Sequence, residues 1–251
     1  MSKWRVIFDG DRSAAFNMAA DEAIFRCCAD GNVPPTLRLY GWSGASVSLG
    51  RLQHDLEGKL DAEYCREMGI SLVRRPTGGR AVLHGHDVTF SISLRESLLP
   101  REARGVVASH KWLMSGIAAG LKSIGARAEI GPEANRPTPA SLSADCFAHV
   151  AECDIRVGKD KVVGAAQARS RGALLEQGSI PRVKPLVDPA RVFPSIRSQD
   201  TALVSASREE IEQAIAREFS RVLGIELEPA AFTDEEKCLA MELEKTCVVE
   251  L

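Results

Sequence analysis

Three arginines and two glycines fall within seven residues, Arg74-Arg75-Pro76-Thr77-Gly78-Gly79-Arg80, and a short apolar run then ends in His84. Successive main-chain N–H groups at a glycine turn can cradle an anion, and arginine forks can neutralise it. The Walker order Gly-x-x-x-x-Gly-Lys-Ser/Thr is missing. The third glycine and following helix of a dinucleotide fingerprint are missing too. The segment therefore suits a carboxylate, a phosphate or an acyl-adenylate. The competing reading is a hairpin with a basic edge. Adjacent strand residues point to opposite faces, so only one of Arg74 and Arg75 can face a given site.

Two further places carry reactive side chains. Cys146 follows a Pro/Ser-rich stretch and sits between Asp145 and Phe147. A thiol at a loop-to-strand junction is accessible, as a reactive cysteine must be; a buried small hydrophobe is the alternative. Cys153 competes for the role but alternates with Ile155 and Val157, which turns it inward. Lys161 opens a strand that continues with the small residues Gly164, Ala165 and Ala166. Small residues let a ligand approach the backbone, and a lysine there can stabilise a thiolate or hold an acyl carbonyl. His86 and Asp87 are adjacent, yet as strand neighbours they face opposite ways.

The elements that must position these groups are legible from periodicity. Trp4–Asp9 reads as a strand, and Ser13–Cys28 as a helix with Ser13 as its cap. Thr36–Trp42 and Ser46–Leu49 read as strands joined by a Ser-Gly turn. Leu56–Met68 reads as a helix stopped by Gly69. Ala81–His84 and Asp87–Leu94 are strands, the second alternating Val88, Phe90, Ile92 and Leu94. His110–Ile124 is an amphipathic helix. Cys153–Val157 and Lys161–Arg169 flank a turn at Gly158-Lys159-Asp160, and Gly172–Ile180 is the next strand. Pro181–Gln199 reads as a wrapping loop. Ser207 with Glu210 and Thr233 with Glu236 form capping boxes that open two final helices. Strands dominate the first part without regular βαβ alternation, so the fold class is α+β with a mixed, largely antiparallel sheet. One domain spanning residues 1–251 is expected, with 207–251 as a helical appendage.

Composition excludes several classes. Of 251 residues, 45% are hydrophobic and 26% charged, ordinary for a globular chain, and the net charge of −2 gives no general basic surface for nucleic acid. Apolar runs are far shorter than the roughly 20 residues needed to span a bilayer. Met1–Arg5 holds no apolar signal core, so a cytoplasmic location is expected. The seven cysteines form no Cys-x-x-Cys pair and no zinc-spaced His/Cys cluster. Their odd number argues against a disulfide framework, and most should be buried.

Taken together, the motifs resemble one family. Leu37–Trp42, Val47–Arg51 with Gln53, and Arg74-Arg75 with Thr77-Gly78-Gly79 come first. His84, Asp145-Cys146-Phe147, Lys161 with Gly164–Gln167, and Gly178–Ile180 then follow in order. This set resembles the biotin/lipoate protein ligase superfamily in its lipoate-ligase-like branch, from about Trp4 to Ile180. The resemblance implies an α+β catalytic domain that attaches lipoate, octanoate or biotin to a lysine of a carrier domain. It also implies that Arg75, Thr77, Gly78, Gly79, Arg80, Ala81 and His84 line the acyl site, with Gly164–Ala166 leaving room for the chain. Lys161 matches the family's lysine.

Departures from the ligase pattern narrow the branch. Ligases carry a third glycine where this chain has Arg80, and a His-Asp pair where this chain has His84-Gly85. Cysteine-dependent octanoyltransferases of the same fold match better, with a Thr-Gly-Gly-Arg-Ala-Val-Leu-His run and a cysteine fifteen residues before the lysine, as Cys146 precedes Lys161. The implied reaction is octanoyl (or lipoyl) transfer from an acyl carrier protein thioester, through a Cys146 acyl-enzyme, to a lysine of a lipoyl carrier domain. The glycine-cleavage H protein or a dehydrogenase E2 subunit would be the acceptor. No metal or nucleotide is required on that route. His84 or His149 would accept the acceptor amine's proton. The alternatives are a lipoate ligase using ATP and Mg²⁺, and a non-catalytic lipoyl-domain or acyl-binding module. A biotin ligase fits less well, because its Gly-Arg-Gly-Arg loop is missing.

Overall fold

The computed structural model describes residues 2–131, 154–158, 160–194 and 203–250. Lys3–Arg12 forms β1 and Ala14–Asp30 forms α1, with the Ser13 hydroxyl accepting from Phe16 N at its start. Thr36–Trp42 (β2), Ser46–Leu49 (β3), Ala62–Glu67 (α2), Ser71–Arg74 (β4), Val82–His84 (β5) and Asp87–Arg95 (β6) follow. After Val106–Ser123 (α3) come Ala128–Ile130 (β7), Ile155–Val157 (β8), Asp160–Ser170 (β9) and Ala173–Pro181 (β10). Pro189–Val192 (α4), Arg208–Leu223 (α5), Glu226–Pro229 (β11) and Asp234–Cys247 (α6) complete the described elements.

Among these, eight strands form one sheet in the order β11-β1-β2-β6-β10-β9-β8-β7, and three form a second sheet, β4-β3-β5. β1 runs parallel to both β11 and β2, and the other pairings of the large sheet are antiparallel. The class is therefore α+β with a mixed, largely antiparallel sheet flanked by helices.

Period-2 alternation gives the large sheet two buried faces of different chemistry. Val88, Phe90, Ile92 and Leu94 of β6 join Leu37 and Leu39 of β2 in the main core. Leu113, Ile117 and Leu121 of α3, with Ile211, Ile215 and Phe219 of α5, cover that face. The intervening β6 residues Asp87, Thr89, Ser91 and Ser93 are buried as well, on the opposite face. That second face is polar, and α1 lies over it with Asn17 and Asp21 fully buried.

Asp21 organises this polar layer. Its Oδ1 accepts from Arg38 Nη1 at 2.7 Å and Ser91 Oγ at 2.6 Å. Its Oδ2 accepts from Tyr40 Oη at 2.8 Å and Gln177 Nε2 at 2.7 Å. Arg38, itself fully buried, also pairs with Asp9 at 2.7 Å. Burial and the Asp21 charge hold the Tyr40 hydroxyl well above its ordinary pKa, so it stays a neutral donor.

Several expectations need correction. β2 and β3 are joined at Ser43-Gly44 as expected, but β3 leaves the large sheet and pairs with β4 and β5. The helix expected over Leu56–Met68 is only Ala62–Glu67: Gly58 takes a left-handed φ of 66°, and Asp61 caps Tyr64 N. β7 and β11 are too short and too exposed to leave a periodic signal. The expected C-terminal appendage is not peripheral. α5 carries three residues of the main core, β11 extends the large sheet, and Arg5 of β1 forms a buried ion pair with Glu236 of α6. Both C-terminal capping boxes form as expected.

Replacing Glu236 with Ala should strand the Arg5 guanidinium in the interior and cost about 3–5 kcal/mol. Urea denaturation of the variant measures this, and a cost below about 1 kcal/mol would mean that the pair is solvated.

Candidate active site

The Arg/Gly turn is built by its own arginines. Arg75 Nη1 donates to Ser48 O at 2.8 Å, and Nη2 donates to Gly78 O at 2.7 Å and Arg80 O at 2.6 Å. Arg74 Nη1 donates to Gly50 O at 3.0 Å and Gln53 O at 2.9 Å. The two side chains thus serve different sides, as strand geometry requires, and both brace main-chain carbonyls. Gly79 has φ of 87°, and a Cβ on Gly50 would lie 2.0 Å from Gly79 O. No side chain fits at Gly50, so the end of β3 and the glycine turn touch backbone to backbone.

Thr77 ties the turn to the polar layer. Its hydroxyl donates to Gln177 Oε1 at 2.8 Å, and Gln177 donates in turn to Asp21. Thr77, fully buried, is a positioning residue in this arrangement.

Beside the turn lies a cavity of about 360 Å³, counting the mouth that opens to solvent. β9 contributes Gly164, Ala165 and Ala166; β10 contributes Gln177, Gly178 and Ser179. Met18 of α1, Tyr40 and Trp42 of β2, and Thr89 of β6 line it from the large sheet. Ser48, Arg75, Val82 and His84 close it from the small sheet. The wall is mainly apolar, with a few convergent polar groups, the usual make-up of a small-molecule site.

His84 is the residue where the two sheets meet. It ends β5, and the turn through Gly85, at φ of 108°, delivers the chain to Asp87 at the start of β6. His84 Nδ1 lies 2.7 Å from Asp87 Oδ2, and Nε2 lies 2.8 Å from Ser48 Oγ. The ring stacks on Trp42 with centroids 3.9 Å apart and planes inclined 14°. The adjacent His86-Asp87 pair considered from sequence is thus replaced by His84-Asp87. Asp87 Oδ2 also accepts from Ser179 Oγ at 2.6 Å and Thr89 Oγ1 at 2.9 Å, and Oδ1 accepts from Gly85 N at 3.1 Å. Burial pushes the Asp87 carboxyl up, but the His84 ring, His86 and the Ser179 hydroxyl outweigh it and hold the group well below the usual carboxylate range.

Of the residues expected at an acyl site, the cavity gathers Arg75, His84, Gly164, Ala165 and Ala166. Gly78, Gly79 and Arg80 lie beside it, held by Arg75. Ala81 packs into the small-sheet core with Val47 and Leu83. Lys161 is buried and pairs with Asp154 at 3.0 Å; it opens the strand whose later residues form the cavity wall. Cys146 and His149, like Asp145, Phe147 and Cys153, lie outside the described residues.

Burial pushes the thiols of Cys27, Cys28, Cys65 and Cys247 up to about 11, which disfavours their thiolates at neutral pH. Among the described residues no group of three or more His, Cys, Asp and Glu side chains could hold a metal ion, and no helix is long and apolar enough to cross a membrane. Sequence reading missed Gln177, gave no site role to Trp42, Ser48 and Ser179 although they fall inside the motifs, and paired Asp87 with His86 instead of His84. The available signal was a polar residue at every second position of β6, which marks a buried polar face only once both faces are known to be covered.

Residues 13–222 match the lipoyl protein ligase A/B catalytic domain. The octanoyltransferase LipM of Kyrpidia tusciae is 37% identical over 97% of this chain and 95% of its own length. Among solved structures, a putative lipoate protein ligase from T. acidophilum with bound lipoic acid superposes with a TM-score of 0.79 at 27% identity, covering 98% of this chain and 96% of that one. A lipoate-protein ligase A bound with ATP gives a TM-score of 0.78 at 27% identity, with 97% and 94% coverage.

His86, next to this network, gives a pH signature. Burial lowers its pKa from 6.5, against the opposing pull of Asp87, and Nδ1 has no hydrogen-bond partner. The unfolded chain binds a proton near pH 6.5 that the folded chain resists, so this contribution to stability is full above that pH and is lost as the pH falls. The Asp87 contribution has the same sign but declines only below about pH 4, where the unfolded carboxylate titrates. The urea midpoint should therefore drop between about pH 7.5 and 5.5, and His86→Gln should flatten the drop. An equal drop in the variant would refute the assignment.

Proposed function

Because the chain belongs to the lipoyl protein ligase A/B catalytic domain family, we propose that it is a protein octanoyltransferase. It moves an octanoyl group from a carrier thioester through Cys146 to a lysine of a lipoyl carrier domain. The observation that carries this reading is the mostly apolar cavity between the two sheets, walled on one side by Gly164, Ala165 and Ala166. An aliphatic chain gains about 0.8 kcal/mol for each CH₂ fully buried, so such a cavity can recognise octanoyl without polar contacts. The relatives named octanoyltransferase support the same substrate class.

The sequence motif supports Cys146 as the nucleophile. Four described cysteines are buried with raised pKa values, and Cys238 lies exposed on α6. Cys146 precedes Lys161 by fifteen residues, the spacing of the cysteine-dependent transferases. The Cys146 thiolate attacks the donor carbonyl, the carrier's C–S bond breaks, and its thiol leaves. The neutral acceptor amine then attacks the acyl-enzyme, forming the amide and releasing Cys146. Thioester exchange is nearly thermoneutral and amide formation is downhill, so ATP is not consumed. Lys161, desolvated beside Asp154, supplies a cation to favour the thiolate and hold the acyl carbonyl. An acyl carrier protein suits the donor role. A lipoyl domain of a glycine-cleavage H protein or a dehydrogenase E2 subunit suits the acceptor role.

The second reading is an ATP- and Mg²⁺-dependent lipoate ligase, favoured by the fold shared with the ATP-bound ligase. Arg80, in the position of the ligases' third glycine, speaks against it.

Mixing the protein with octanoyl carrier protein should add one octanoyl group to Cys146, removable by neutral hydroxylamine and read by intact-mass spectrometry. Cys146→Ala should abolish this adduct and slow amide formation by on the order of 10³-fold or more. Full transfer by the variant, with dependence on ATP and Mg²⁺, would establish the ligase reading instead.

A further inference from the structure

Ser48 and His84, which line the cavity, form an unbroken hydrogen-bonded chain with Asp87. His84 Nδ1 is 2.7 Å from Asp87 Oδ2, and His84 Nε2 is 2.8 Å from Ser48 Oγ. Asp87 is ionised and takes three further donors, from Thr89, Ser179 and Gly85. An ionised carboxylate beside Nδ1 favours the tautomer with a proton on that nitrogen. In the neutral ring with its proton on Nδ1, the Nε2 lone pair faces the Ser48 hydroxyl, which then donates to it. Arg75 Nη1 lies 3.3 Å from the same hydroxyl oxygen, where a cation favours developing negative charge. Stacking on Trp42 fixes the plane of the imidazole.

The arrangement of hydroxyl, imidazole and carboxylate is that of an activated serine, which is recognised by geometry and roles rather than by chain order. A purely structural role would account for the satisfied hydrogen bonds. It does not account for their location. Ser48 and His84 both line a cavity whose other walls include Met18, Val82, Ala165 and Ala166. An acyl group in that cavity meets a hydroxyl with its base already in place.

We propose that Ser48 is a second acyl acceptor, giving the protein a slow hydrolase activity toward medium-chain acyl thioesters and esters. The proposal shares the acyl cavity with the transfer reaction but does not depend on Cys146. Ser48 Oγ attacks the acyl carbonyl while its proton passes to His84 Nε2. The C–O bond forms, the C–S bond of the donor breaks, and His84 returns the proton to the departing thiolate. Water then attacks the serine ester, giving its proton to His84, and Ser48 leaves as the hydroxyl with that proton, releasing the free fatty acid. When no acceptor amine is available, the site would leak donor in this way.

The test uses the full chain carrying Cys146→Ala, treated with p-nitrophenyl octanoate and, separately, with octanoyl carrier protein, followed by peptide mass mapping. The expected result is one octanoyl group on the Ser48 peptide that survives neutral hydroxylamine, together with release of p-nitrophenol. Adding Ser48→Ala should remove the adduct and slow release by about tenfold or more. Adding Ser48→Cys instead should keep the fold and transfer the adduct to a hydroxylamine-sensitive thioester. No octanoyl group at residue 48 in either the serine or the cysteine form would overturn the proposal, as would release unchanged by Ser48→Ala in protein with an unaltered melting temperature. The Cys146 peptide is read in the wild-type map of the same experiment, so failure of the Cys146 reading and failure of this one are separate results.

Discussion

A single carboxylate holds the two sheets in the relation that creates the cavity. Asp87 begins β6 of the large sheet, and its oxygens take His84 of the small sheet together with Thr89 and Ser179 of the large one. A fully desolvated charge is tolerated only when its hydrogen-bonding capacity is filled. The requirement works as a geometric constraint. Moving β5 away from β6 would leave the ion short of a partner in the interior, so the wall formed by His84, Ser48 and Val82 stays fixed against β9 and β10.

A second buried ion extends the same logic toward the glycine turn. Asp21 on α1 takes Arg38, Tyr40, Ser91 and Gln177, and Gln177 holds Thr77. The helix over the polar face, the central strands and the turn are thereby one hydrogen-bonded body. Such layers contribute less to net stability than an apolar core of equal size would, because desolvation offsets much of the attraction. Their effect is to fix orientation. The apolar face under α3 and α5 supplies the burial that stabilises the fold, and the polar face spends its interactions on positioning.

The arginines at the turn show how the same residues change meaning with context. In the sequence, three arginines around two glycines read as a cradle for an anion. In the structure Arg75 braces Ser48, Gly78 and Arg80 through main-chain carbonyls, and Arg74 braces Gly50 and Gln53. A guanidinium with five donors can satisfy several carbonyls at once, which suits a tight turn whose peptide groups would otherwise be buried without partners. The cavity beside them is lined mainly by apolar surface.

Local physics was legible in the chain. The Ser207 and Thr233 capping boxes, the Ser13 cap and the alternation of Val88, Phe90, Ile92 and Leu94 each depend on neighbours within a few residues, and all appear as read. The ordered set of motifs identified the family for a similar reason, since each motif is a short run that is read without its distant partners. Pairings across the fold were not legible. Nothing within a few residues of Ser48 announces that its partner is His84, 36 positions away, or that Thr77 answers to Gln177, 100 positions away. Nor could local pattern show β3 leaving the large sheet, β11 joining it, or α6 closing on Arg5, because those contacts are chosen by competition among distant surfaces. The sequence by itself determined most of the elements, the fold class and the residue types available for acyl chemistry. Only the tertiary structure decided which of those residues share a desolvated cavity, because burial, charge pairing and hydrogen-bond geometry are properties of the packed chain.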